Sequence, residues 1–320
     1  MHRDEPIFIV GVARSGTTLL QVMLGSLPRV AALPELHYAA RFLPHRDRWE
    51  PIDRDRLLEL LTILRDDELD MYEDVGWDFE QIVSQALANG PTTLAHVFRV
   101  LMEDFARRSG KARWSEKSPG QLPQSAVELA PDALIVHIIR DPRAALASQI
   151  AVPFLPYSPR QLATQWARFN LAAARWGQQP DHAHRYLRIR HEDLVADPEA
   201  TAKLVCAHIG ENFEPTMLAG GKESSSVPDV GLPWQSGALE SVRAPSRRHL
   251  SPIARIQMAP LVDGAVQTLG YERETRTRRI LGRAVNRFPD PTARQSRRAA
   301  PVTPVEVARG GSAAEKLRQV

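Results

Sequence analysis

Two short stretches combine residue types that bind anions. Residues 11–20 read Gly-Val-Ala-Arg-Ser-Gly-Thr-Thr-Leu-Leu, where an apolar run over residues 6–11 passes into a helical pattern. A strand-to-helix turn aims backbone N–H groups and the positive end of the helix dipole at whatever anion occupies it. Arg14 adds a permanent cation able to clamp two oxygens, Ser15 and Gly16 complete the turn, and Thr17 and Thr18 bring hydroxyl donors. An ordinary turn would need the glycines for geometry but neither the arginine nor the paired threonines. Gly11 and Gly16 keep the spacing of a nucleoside-triphosphate loop, yet Thr17 stands where that loop carries its lysine. The next clear apolar strand ends in Arg-Asp-Pro-Arg, not in a magnesium-binding acid, so the loop suits an anion smaller than a triphosphate. The second stretch is Arg140 to Ser148, at the carboxyl end of that strand, where ligands bind in open α/β sheets. Ser148 lies about two helical turns beyond Arg140, so the pair can converge on one phosphate only beside the helix, not at its tip. A salt bridge to Asp141 is the alternative use of Arg140.

The elements that must position these residues alternate. Strands are expected over residues 6–11, 112–116, 133–140 and 186–190, with a short one after residue 30. Helices are expected over residues 17–27, from Pro142, over 159–176, 197–209 and 252–269, the last stopped by Gly270. Three more, near 57–64, 79–88 and 94–105, form a helical insertion spanning about residues 50–110. Strand–helix alternation without hairpins predicts an α/β fold: a P-loop-type, doubly wound, mainly parallel sheet flanked by helices. One domain is expected over residues 1–275, with a Gly/Ser/Pro-rich loop at 220–237. Beyond it, residues 276–320 read as a basic, disordered tail with at most a helical start over 277–287.

Two anion sites on neighbouring strand ends suit a ligand with phosphates at both ends of a nucleoside. The pair Arg14-Ser-Gly-Thr-Thr and Arg140…Ser148 resembles the signature of the sulfotransferases that use 3′-phosphoadenosine 5′-phosphosulfate (PAPS). Glu116-Lys117-Ser118-Pro119 is similar to a segment of the Golgi-type and bacterial branches. Residues 190–198, Arg-His-Glu-Asp-Leu-Val-Ala-Asp-Pro, and Leu269-Gly-Tyr271 resemble two further family segments. The resemblance covers residues 6–271 and implies that the first loop holds the 5′-phosphosulfate while Arg140 and Ser148 hold the 3′-phosphate. His191 stands where the family commonly has a tyrosine against the adenine. Resemblance to the tyrosylprotein sulfotransferase branch implies that Glu35 is the general base, with His37 the rival. It further implies that Arg14 and Lys117 neutralise charge on the breaking bond. Ser241, Arg247 and Arg248 fall where the family closes the 3′-phosphate pocket. Trp114, Trp166 and Trp176 are expected in the core or acceptor wall, and Trp234 against the acceptor.

Composition narrows the remaining classes. One cysteine among 320 residues, Cys206, excludes a disulfide framework and any multi-cysteine metal site. No His/Asp/Glu cluster has metal-ligand spacing, so no metal is expected. Residues 272–320 hold 12 basic and 5 acidic side chains, leaving 29 and 33 on the rest. The net charge of +3 therefore belongs to the tail, and the folded body carries no nucleic-acid footprint. Residues 1–6 lack a signal-peptide pattern and no uncharged run reaches membrane length, which predicts a cytoplasmic protein without a transmembrane segment. The implied function is an enzyme: metal-independent, in-line sulfuryl transfer from PAPS to a hydroxyl acceptor with a carboxylate base. A P-loop-type small-molecule kinase and a nucleotide-binding module without turnover are the alternatives. Acceptor identity is expected to be set by the insertion and by residues 150–159.

Overall fold

A computed structural model describes residues 4–33, 35–67, 77–118, 120–151, 157–219 and 249–290. Its centre is a five-stranded sheet in the order β2-β3-β1-β4-β5, with every pairing parallel. The strands are β1 (Ile7–Val10), β2 (Val30–Ala32), β3 (Arg113–Lys117), β4 (Leu134–Ile139) and β5 (Tyr186–Arg190). β1 and β4 are buried along their whole length, as continuous apolar runs covered on both faces must be.

Helices follow each strand. α1 (Thr17–Gly25) leaves β1, and α2 (Tyr38–Phe42) and α3 (Arg46–Trp49) follow β2. The insertion then supplies α4 (Arg54–Asp67), α5 (Phe79–Ala86) and α6 (Leu94–Arg108) before β3. α7 (Pro123–Leu129) precedes β4; α8 (Pro142–Ile150), α9 (Pro159–Gly177) and α10 (Pro180–Ala183) lie between β4 and β5. α11 (His191–Ala196), α12 (Pro198–Ile209), α13 (Thr216–Ala219), α14 (Pro252–Leu269) and α15 (Arg276–Val285) complete the described chain. Their starts are written in the sequence. Asp78, Thr93, Asp141, Ser158, Asp197, Ser251 and Thr275 each accept a backbone N–H of their own first turn.

Phe8 of β1 meets Phe98 and Trp114 at 5.9 and 5.6 Å between ring centroids, which locks the insertion helices onto one face of the sheet. On the other face Ile7 and Ile9 pack with α1 and α12. Trp166, fully buried, joins α8, α9 and α14. Trp114 and Trp176 are core residues too. Among the described residues no helix is long and apolar enough to cross a membrane.

One boundary differs from the composition-based expectation. Residues 276–290 belong to the fold, because α15 lies along α14 and is held by named bonds. Asn286 Nδ2 donates to the Gln257 carbonyl at 3.0 Å, and Arg160 donates to the carbonyls of Val285 and Phe288 at 3.0 and 2.7 Å. The helical start expected over 277–287 is therefore docked, and arginine-rich composition hid the docking because it is polar, not apolar. The remainder of the tail, the loop at 220–237 and Trp234, Ser241, Arg247 and Arg248 lie outside the described residues.

Candidate active site

The loop between β1 and α1 gets its shape from two glycines and one strained arginine. Gly16 has φ +96°, and a Cβ there would lie 2.5 Å from His191 Cδ2; a Cβ on Gly11 would lie 2.7 Å from the Ile138 carbonyl oxygen. Arg14 adopts φ +67°, a left-handed conformation costly for a side-chain-bearing residue and concentrated at functional sites. Ser15 Oγ is fully buried with no hydrogen-bond partner. A buried, unanswered hydroxyl of this kind in an N–H-rich turn fits a phosphate oxygen. Thr17 is buried at the start of α1.

The Arg140 stretch closes over the same loop. Arg140 donates to the Arg14 carbonyl at 3.0 Å, Arg14 Nε donates to Ser148 Oγ at 3.2 Å, and Gln149 Nε2 donates to the Ala13 carbonyl at 2.7 Å. Asp141 does not claim Arg140; it caps α8 and pairs with Arg143. The two motifs, expected at opposite ends of one ligand, therefore touch through Arg14. Behind them Trp166 Nε1 donates to the Arg140 carbonyl at 3.0 Å. Glu192 accepts from the Asp141 N–H and from Tyr271 Oη, each at 2.9 Å. Tyr271 thus buttresses the turn, a role beyond marking the domain end. His191 is buried beneath Gly16, and burial, aided by the nearby Arg140 charge, pulls its pKa down to about 3. The ring is neutral and supports the loop.

Across the loop, β2 and β3 deliver the second half of the site. Lys117, at the end of β3, donates to Thr18 Oγ1 at 2.8 Å and to Glu35 Oε1. His37 Nε2 lies 3.2 Å from Glu35 Oε2. Burial pushes the Glu35 carboxyl up, but the His37 hydrogen bond and the Lys117 and His37 charges outweigh it, leaving the pKa at about 2. His37 takes φ +49°, and its backbone N–H donates to Ser118 Oγ at 3.1 Å. Ser118 Oγ in turn donates to Glu116 Oε1. Glu116 is fully buried, its second oxygen has no partner, and burial raises its pKa to about 7 against the pull of Ser118. Glu116 and Ser118 are support that residue-by-residue reading passed over, although their segment had been singled out. Gln21 is a second omission: it donates to the Leu33 and Ser115 carbonyls at 2.8 and 3.1 Å, tying α1 to the β2 exit that carries Glu35. No motif could have revealed it.

Arg14, Ser15, Gly16, Thr17, Thr18, Lys117, Arg140, Ser148 and His191 thus gather at the carboxyl ends of the strands, with Glu35 and His37 on the β2 side. Such an arrangement can hold an anion between fixed cations and present a carboxylate to a neighbouring hydroxyl.

Comparison with known proteins agrees. Residues 6–215 match the profile of the sulfotransferase family. Protein-tyrosine sulfotransferase A of Caenorhabditis elegans is 29% identical over 229 residues, 68% of this chain and 53% of that protein. Protein-tyrosine sulfotransferase 2 of Gallus gallus is 26% identical over 221 residues, 66% of this chain and 53% of that protein. The chain thus spans about half the length of these curated relatives. The sulfotransferase domain from the curacin biosynthetic pathway superposes with a TM-score of 0.54 at 20% identity, covering 86% of this chain and all of that one. The chain belongs to the sulfotransferase family.

Proposed function

We propose that this family member transfers a sulfuryl group from PAPS to a hydroxyl acceptor, with Glu35 as general base. The Lys117 bridge carries the reading: one ammonium joins Thr18, in the anion-binding loop, to Glu35. Arg14, Ser15, Gly16, Thr17 and Thr18 would hold the 5′ end of the donor, and Arg140 and Ser148 its 3′-phosphate. The unanswered Ser15 hydroxyl and the convergence of Arg14 and Arg140 support that fit. His191 would border the adenine while supporting Gly16.

The donor supplies an activated S–O bond whose leaving group is a phosphate, so fixed cations suffice for the developing charge. Glu35 takes the acceptor's proton as the acceptor oxygen bonds to sulfur. Lys117 and Arg14 neutralise the bridging oxygen that keeps the electron pair of the broken bond. Lys117 holds Glu35 ionised; an anion in the loop draws that ammonium toward itself and raises the basicity of the carboxylate when it is needed. His37 orients the second Glu35 oxygen. Because the curated relatives are named for protein tyrosine, a tyrosine phenol is the first acceptor to try.

The test uses sulfur-35-labelled PAPS with tyrosine-containing peptides and small phenols, alongside thermal shifts with adenosine 3′,5′-bisphosphate in EDTA. Label transfer and a metal-independent rise in Tm are expected. Stabilisation by Mg²⁺-ATP but not by the bisphosphate would overturn the proposal.

A further inference from the structure

Helix α15 is docked with its polar side inward. The face against α14 consists of Arg278, Arg279, Gly282 and Asn286. Arg278 donates to Glu274 Oε2 at 2.9 Å and Arg279 to the Glu274 carbonyl at 2.6 Å. Gly282 sits so close that a Cβ would lie 2.2 Å from the Ile256 carbonyl oxygen. The apolar side chains point the other way: Ile280 is 53% exposed, Leu281 47%, Val285 37% and Phe288 72%. These four are half of the eight large hydrophobic residues exposed among the described residues. At roughly 100° per residue Ile280, Leu281, Ala284 and Val285 occupy one stripe about 140° wide that also holds Thr277, and Phe288 follows just past the helix end. Arg276 and Arg283 follow along one edge and Arg287 lies just past the helix end; no acid occurs from Thr275 to Pro289, and Asp263 of α14 is the acid near Arg283.

A helix kept only to pad the core turns its apolar stripe inward. Here five polar bonds, including those from Arg160 and Asn286, hold the stripe outward. An exposed apolar stripe edged by arginine is the surface that interfacial helices present to anionic lipid. A second copy of the chain fits less well. A two-fold axis on this stripe would set arginine edge against arginine edge, and ten helical residues offer far less than the ~800 Å² per side of a stable interface. We infer that α15 seats the protein peripherally on an anionic membrane surface. Ile280, Leu281, Val285 and Phe288 enter the headgroup layer, and Arg276, Arg283 and Arg287 meet lipid phosphates.

Co-sedimentation of the full chain with vesicles tests this, using phosphatidylcholine alone and phosphatidylcholine with about one-third phosphatidylglycerol. Binding to the anionic vesicles should exceed binding to the neutral ones at least about tenfold and weaken with salt. The double variant Leu281→Ser/Phe288→Ser keeps every charge and alters only exposed side chains. It should retain Tm and lose vesicle binding, whereas Arg283→Gln/Arg287→Gln should lose mainly the preference for anionic lipid. Three results would overturn the inference. They are no binding by the wild-type chain, undiminished binding by the double serine variant (which would assign it to the charge of residues 291–320), or a wild-type dimer that the serine variant makes monomeric.

Discussion

The two ends of the five-stranded sheet treat their cations differently. At the amino end Arg113 is buried and donates to the Ile209 carbonyl at 2.7 Å, to Glu211 at 3.3 Å and to the Glu5 carbonyl. Lys111 nearby caps the end of α1 through the Gly25 carbonyl and holds the turn into β2 through the Leu27 and Val30 carbonyls at 3.1 and 2.9 Å. At the carboxyl end Arg14 bonds a hydroxyl and Arg140 a backbone carbonyl, while a buried serine hydroxyl stands unanswered. A charge removed from water must be answered, and the amino end answers with carboxylate and carbonyl oxygen from the chain itself. At the carboxyl end the bonds of Arg14 and Arg140 go to neutral oxygen atoms, and on the proposed function their charge would meet an incoming anion. On the proposed function, one end spends its cations on folding and the other would direct Arg14 and Arg140 to a ligand.

The largest test of that division concerns Glu35, the carboxylate that does reach a carboxyl-end cation. A general base acts only in the chemical step, so Glu35→Gln should lower kcat by two to four orders of magnitude, about the range for a positioned base. The dissociation constant for adenosine 3′,5′-bisphosphate should stay within about twofold, since glutamine keeps the shape beside Lys117. Steady-state kinetics and calorimetric titration would measure both. Near-normal kcat, with activity lost instead in His37→Ala, would move the base two residues along.

At the amino end the expected loss is of stability. Arg113→Ala strips a buried partner from Glu211, leaving it Arg29 at 3.5 Å, and takes the donor from the Ile209 and Glu5 carbonyls; breaking a buried pair of this kind typically costs about 3–5 kcal/mol. Denaturant unfolding should register it as a lower midpoint, while bisphosphate affinity of the remaining folded protein is unchanged. A large loss of affinity at unaltered stability would erase the distinction between the two ends.

How much of this was readable beforehand depended on the range of the interaction. β5 and α14 have the bounds that apolar runs and punctuation gave them, and the Asp197-Pro198 cap is where the dipeptide predicted it. The loop at residues 11–18 and the Arg140 stretch were visible because their chemistry is local and their spacing rigid. What stayed hidden is what comes from far along the chain. Nothing near Arg14 in sequence says that its guanidinium meets Ser148, 134 residues away, or that Tyr271 braces Asp141 through Glu192. The sequence does not announce the short helices α2, α3, α7, α10, α11 and α13, because their few residues carry too little periodicity to rise above a loop. The sequence allows α15 only as a helical start over 277–287 within a disordered tail, because arginine-rich composition speaks for disorder until the acid partners Glu274 and Asp263 are brought alongside.

Glu116 sharpens the comparison through pH. In the folded protein its carboxyl keeps its proton up to about pH 7, against 4.5 ordinarily, because burial disfavours the charge. Between those values the folded state binds more protons than the unfolded state, so this group makes stability fall as pH rises. The slope is at most about 1.4 kcal/mol per pH unit, and the whole contribution is gone above pH 7 or so. Glu116→Gln, neutral at every pH and of the same shape, should flatten that part of the profile and be more stable than wild type at alkaline pH. Chemical denaturation across pH 4 to 9 would show it, and parallel profiles would mean that Glu116 ionises freely. Through Ser118 and the His37 N–H the same side chain sets the Glu35 loop, so the variant should also change the pH dependence of kcat more than KM for the donor.

The smallest effect expected is the mirror image of Arg113→Ala. Arg140→Ala removes a cation from the carboxyl end whose bond inside the protein is to a carbonyl, and that carbonyl can turn to water. Stability should therefore shift by less than about 1 kcal/mol, as for a surface-type hydrogen bond. Bisphosphate binding should weaken by about 1.5–3 kcal/mol, the range for a hydrogen bond to a charged group, or roughly 10- to 150-fold. Adenosine 5′-monophosphate, which lacks the 3′-phosphate, supplies the control: if Arg140 serves that phosphate, the variant should bind the monophosphate nearly as well as wild type does. Equal losses for both nucleotides would put Arg140 to work on the loop, through the Arg14 carbonyl, and not on the ligand. Arg14→Ala should then reproduce the same uniform loss, since the two residues would form one unit holding the turn open for the 5′ end.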